Sequence, residues 1–179
     1  MDRNTNHNFD RRLENLRDAL LLAIEGMSDR QMSWHPADKW CAAEVLEHLY
    51  LTYTGTIKGF EKVLQAGKPL ATRPSMAHRR RFLAVIMFGY LPSGRKAPPM
   101  ALPRGLPSEQ VRNEIGAKIA AMDQIISECE GRFGRRAKLL DHPILGPLTA
   151  GEWRKFHVVH GRLHEKQIRR LRQMQSPEP

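Results

Sequence analysis

The chain has 179 residues, enough for one domain with a sizeable core, and its apolar (41%) and charged (27%) shares are those of an ordinary globular protein. A net charge of +10 and a pI near 10.1 point either to an anionic partner or to a solvated basic surface. The longest apolar run, residues 82–91, is too short to cross a bilayer, the N-terminus lacks the apolar core of a signal peptide, and Cys41 and Cys129 form no C-x-x-C pair or disulfide framework, so no membrane is implied and a reducing cytoplasm is the expected home.

Apolar residues recur at helical spacing in four long segments, with almost no strand signal. The first helix is expected over about residues 8–27, with Phe9, Leu13, Leu16, Leu20, Ile24 and Met27 on its buried face. Gly26 to Asp29 end it, and a linker holding Trp34, His35 and Pro36 follows. The second helix spans Cys41–Ala66, its stripe running through Val45, Leu49, Tyr53, Ile57, Phe60 and Leu64. Gly55 and Gly59 weaken it and offer a place for another helix to approach closely.

Residues 68–107 differ in kind, being punctuated by Pro69, Pro74, Pro92, Pro98, Pro99, Pro103 and Pro107. A short helix fits residues 75–88, and the Pro-rich stretch 89–107 reads as a loop, either a lid or a plain crossover. The third long helix starts near Ser108 as N-cap and buries Val111, Ile115, Ile119, Met122, Ile126 and Cys129. Pro143, Gly146 and Pro147 keep residues 140–148 out of helix. The last helix opens on Thr149, whose partner Glu152 completes a capping box, with Leu148 and Trp153 placed for a hydrophobic staple. The expected architecture is a single all-α domain over residues 1–179, a four-helix bundle with a long crossover between its second and third helices.

His160 and His164 lie four apart in that last helix, which puts both imidazoles on one face, about 5–6 Å apart at Cβ. Two neutral imidazoles so placed can grip one divalent metal, as those of H-E-x-x-H do; the same spacing also suits histidines packed in a core. A catalytic site needs a further ligand. His48, three after Val45 and beside Leu49, can edge the core from the second helix; alone it reads as an ordinary packed or interfacial residue, and together with His160 and His164 it completes a three-histidine set. Near this set, His157 could hold a ligand or substrate, or be an ordinary hydrogen-bonded helix residue. Glu44, four before His48, could orient that imidazole or form a surface ion pair, and Gln167, three after His164, could hydrogen-bond at the site. There is no GxSxG, no Gly-rich phosphate loop, no repeat and no recognised nucleic-acid module.

The stretches Trp40–Leu49 (WCAAEVLEHL) and His160–Gln167 (HGRLHEKQ) resemble the DinB/YfiT-like superfamily of metal-binding four-helix bundles. The turn before the last helix, His142–Trp153 (HPILGPLTAGEW), resembles a subgroup of it whose function is undefined. The resemblance implies His48, His160 and His164 as ligands of a divalent metal, nickel or zinc among them. It implies a metal-dependent enzyme acting on a small, anionic molecule: a transferase or isomerase that uses a low-molecular-weight thiol, or a hydrolase. Relatives of this type often form homodimers. Cys41, where a capping Ser or Thr is common, and the long stretch 89–107 depart from the simplest pattern. Two other readings stay open: a basic nucleic-acid-binding helical protein, and a bundle whose metal is purely structural.

Overall fold

The structure, a computed structural model, describes residues 9–89 and 97–175. Among these the chain is mostly helical: α1 (Arg11–Ile24), α2 (Asp29–Ser33), α3 (Ala42–Ala66), α4 (Met76–Phe82), α5 (Ser108–Phe133) and α6 (Ala150–Gln173), with one antiparallel hairpin of β1 (Leu140–His142) and β2 (Gly146–Leu148).

The expected apolar stripes are what the long helices bury. α3 packs against α5 and α6, and α1 against the same two. Leu13, Leu16 and Leu20 of α1 meet Val45, Leu49, Tyr53 and Phe60 of α3, Ile115, Ile119, Met122 and Ile126 of α5, and Ile168 and Leu171 of α6 in one core. Each of these side chains contributes about 1.5–3 kcal/mol by leaving water.

The helix starts follow local chemistry. Asp10 caps α1 by accepting from the Arg12 amide at 2.9 Å. On α3 a thiol takes the place of a hydroxyl: Cys41 Sγ accepts from the Glu44 amide at 3.5 Å, and the Glu44 carboxylate accepts from the Cys41 amide at 2.8 Å. Thr149 and Glu152 form the expected reciprocal pair on α6, at 3.3 and 2.6 Å. Ser108 is not the cap of α5; Pro107 holds that position, Ser108 is the first helical residue, and no side chain caps this end.

Four local expectations are corrected. The first helix ends at Ile24 because Gly26 turns into the left-handed region at φ +70°, and a separate short helix, α2, starts on a Ser28–Gln31 capping box. The helix expected over residues 75–88 is α-helical only over α4 and then widens to a π turn at Leu83–Met87. The turn region 140–148 forms the hairpin, with Asp141 opposite Pro147; a two-stranded ladder has only edges, so the missing Pro147 amide is tolerated. Gly59 makes room for that hairpin and not for a helix, since a Cβ there would lie 2.6 Å from Leu140 Cδ2.

Of the Pro-rich stretch 89–107, residues 90–96 lie outside the described residues, as do residues 1–8 and 176–179; Pro99–Ala101 form a 3-10 turn. The arginine clusters at 79–81, 135–136 and 169–170 are all exposed. No helix among the described residues is long and apolar enough to cross a membrane.

Candidate metal centre

The capping box at Thr149 sets the start of α6, and the helix then carries His160 and His164 along the face turned to α3. Between them stands Gly161. A Cβ there would lie 2.5 Å from Leu16 Cδ2 and 3.1 Å from the Tyr53 hydroxyl, so glycine is what lets α6 settle against α1 and α3. That approach brings His48 of α3 to the pair.

The three imidazoles converge on their Nε2 atoms. His160 Nε2 lies 3.2 Å from His48 Nε2 and 3.1 Å from His164 Nε2. One nitrogen from each of the three lies within 4.8 Å of the others, a buried set able to hold a metal ion. Donors about 2.0–2.1 Å from a tetrahedral cation stand about 3.3 Å from one another, the spacing at which His160 Nε2 stands from each of its two neighbours.

The outer nitrogens fix which ring atoms are free. His48 Nδ1 donates to the Ala101 carbonyl oxygen at 2.7 Å, and His164 Nδ1 donates to Gln167 Oε1 at 3.0 Å. Both Nε2 atoms therefore carry lone pairs aimed at His160 Nε2, which holds at most one proton to share between them. A cation resolves that conflict, and a hydrogen bond does not. His160 Nδ1 is buried without a hydrogen-bond partner among the described residues.

Burial and mutual repulsion keep the rings neutral, which is the ligating form. Desolvation pushes His160 well below the ordinary 6.5, with His164 and His48 adding to the shift. His164 is pushed down to about 4, by burial first and His48 second, against the Gln167 bond. Burial also lowers His48, partly offset by its bond to Ala101.

The remaining candidates go to different places. Gln167 holds His164, as expected. His157, fully buried, pairs through Nε2 with the Thr56 hydroxyl at 3.1 Å and packs on Trp153 and Tyr53, so it braces the α3–α6 contact. The Glu44 carboxylate turns back to the Cys41 amide in the capping box, and the acceptor on His48 Nδ1 is a main-chain oxygen instead.

Three contributors escape a reading of the sequence. Ala101 acts through its main chain, which no letter encodes. Glu47 is buried and accepts from the Arg104 and Gly105 amides at 2.7 and 3.1 Å, pinning the segment that carries Ala101. Its only signal is a carboxylate on the buried side of a helix. His142 lines the adjoining cavity.

That cavity, of about 1290 Å³, has the triad in its wall together with Trp40, Met100, Phe156 and Leu163. Phe156 stacks on His160 at 5.3 Å between centroids and 12° between planes, and Trp40 packs on His48 at 5.2 Å.

Fold and site together define a mostly helical protein with a buried three-histidine cluster that can hold a metal, beside a largely apolar cavity. The chain belongs to the family described as "Protein of unknown function (DUF1569)", which it matches over residues 5–171. No curated protein and no solved structure matches it.

Proposed function

We propose that this chain is a divalent-metal-dependent enzyme of the DinB/YfiT-like type, a four-helix bundle made of α1, α3, α5 and α6, acting on a small anionic molecule in the cytoplasm. His48, His160 and His164 hold the metal, nickel or zinc. The observation that carries this reading is the convergence of three buried imidazoles, His160 Nε2 standing 3.2 Å from His48 Nε2 and 3.1 Å from His164 Nε2, with the lone pairs of the outer two fixed inward by Ala101 and Gln167. Three protein ligands beside a cavity favour a catalytic over a structural site, because structural sites close their fourth position with protein.

A divalent cation held there would supply Lewis acidity, lowering the pKa of a coordinated thiol or water toward neutrality. The first case leads to thiol-dependent transfer or isomerisation and the second to hydrolysis. The chain supplies neutral, oriented imidazoles and a largely apolar wall beside them. The exposed arginines support an anionic substrate steered from solution.

The test is elemental analysis of untagged protein, stripped with a chelator and reloaded with zinc or nickel. The wild type should hold about one metal per chain, and His160→Ala and His164→Ala should each lose at least about nine-tenths of it with helical circular dichroism unchanged. Full occupancy in both variants would remove the assignment. Loss of the helices together with the metal would instead favour a structural ion.

A further inference from the structure

His142 is a fourth buried histidine of the cavity wall, outside the metal-ligating set. It ends β1, and its ring faces back into the hairpin: Nδ1 accepts from the Ile144 amide at 3.1 Å and from the Leu145 amide at 3.2 Å. A nitrogen that accepts two main-chain N–H groups carries no proton, so the proton of the neutral ring sits on Nε2. Among the described residues Nε2 has no hydrogen-bond partner, and it does not belong to the buried atoms sealed off from solvent. The ring is wedged between Trp153, at 5.3 Å, and Phe156, at 4.2 Å, and Phe156 in turn stacks on His160. The donor is thus fixed in tautomer and in orientation, and it shares one phenyl ring with the triad.

Resting on the reading of this cavity as the substrate site, we propose that His142 binds the substrate by donating its Nε2–H to an acyl oxygen, a carbonyl or carboxylate, of a small molecule with an apolar body. The apolar body follows from the cavity wall, to which Trp40, Leu51, Met100, Ile144 and Leu163 contribute along with His142. An acceptor oxygen is what a lone N–H in such a wall selects, because leaving a buried donor unpaired is costly. A base role does not fit, since one ring nitrogen is engaged and the other already protonated. Burial, which pushes His142 down to about 4, keeps it neutral at ordinary pH.

Two substitutions separate this role from support of the hairpin. His142→Asn keeps an acceptor where Nδ1 stands and removes the distant donor. His142→Gln places an N–H near the Nε2 position and removes the acceptor. The probes are octanoate, octanamide and octylamine, titrated calorimetrically into zinc-reloaded full-length protein. Octanoate and octanamide should bind and octylamine should not. H142N should weaken both acyl probes about tenfold with zinc content unchanged and a melting temperature lowered no more than that of H142Q, and H142Q should bind within about threefold of wild type.

Wild-type affinity in H142N, no acyl probe binding to wild type, or a ¹⁵N-histidine spectrum placing the His142 proton on Nδ1 would each overturn the proposal. The two readings fail separately. A chain that takes up no zinc refutes the metal centre, and the acyl titrations then still judge His142. Full zinc with H142N indistinguishable from wild type refutes His142 alone.

Discussion

His48 Nδ1 donates to the carbonyl oxygen of Ala101 at 2.7 Å, across 53 positions of sequence. This bond joins α3 to the far end of the Pro-rich stretch and turns the His48 lone pair toward His160. The path of that stretch is held in turn by Glu47, one residue before His48, through the Arg104 and Gly105 amides. Glu47→Ala should therefore lower zinc affinity about tenfold to a hundredfold, as loss of a group that orients a ligand does, with helical content unchanged. Competition against a chromophoric chelator measures it. Unaltered affinity would mean that the segment holds its path without Glu47.

Gly161 should not accept a side chain. Gly161→Ala drives a Cβ into Leu16 and the Tyr53 hydroxyl and should cost about 1–3 kcal/mol in urea unfolding. Gly55→Ala is the control: nothing lies within 4 Å of its added Cβ, and removing a mid-helix glycine should stabilise by up to about 1 kcal/mol.

Arg154 ties α6 to α5 through Asp123 at 2.6 Å and Glu130 at 2.6 Å. Asp123, fully buried, also accepts from the Asp10 amide at 2.8 Å, so the network reaches the start of α1. Arg154→Met removes the guanidinium that bridges the two carboxylates and should cost about 1–3 kcal/mol in urea unfolding. A loss below about 1 kcal/mol would show that the aspartate finds compensation elsewhere.

Acid should destabilise the metal-free protein in a defined window. Burial holds His142 at about 4 in the folded chain against an ordinary 6.5. The unfolded chain takes up this proton below about 6.5, and the folded chain refuses it until about 4, so stability is full above the window and falls as pH drops through it. The share of His142 is about 3 kcal/mol across the whole window. Urea melts at about pH 7.5 and 4.5 should differ accordingly, and His142→Asn should remove its share of the difference. His157, pushed down to about 3 by burial, acts in the same direction and remains in that variant.

Neither thiol should react readily. Both cysteines are buried; burial raises Cys41, and burial with the neighbouring Glu128 pushes Cys129 up to about 11. Alkylation by iodoacetamide at neutral pH should be slow in the folded chain and rapid in urea, as read by mass spectrometry.

The four long helices are legible in the sequence because each repeats its apolar residues over many turns, and the His160–His164 pair is legible because its helix is so well signalled. His48 is not legible from its place beside Val45 and Leu49 alone, which suits any packed histidine; the resemblance of residues 40–49 is what joins it to the pair. What escapes has a physical reason in each case. Strands of three residues are too short to display alternation, so β1 and β2 stay hidden, and with them the two-amide grip on the His142 ring. Helix α2 has five residues, too few for a periodic stripe, although its S-x-x-Q start is visible once sought. Glu44 misleads because helical spacing places it near His48, while the cap of its own helix is nearer still.

Ala101 lends the site an oxygen that every amino acid possesses. What must be preserved at this point is therefore the route and count of the surrounding residues, not their identity. Small side chains should interchange freely at this position, whereas adding or deleting a single residue nearby would swing the carbonyl away and leave His48 free to rotate.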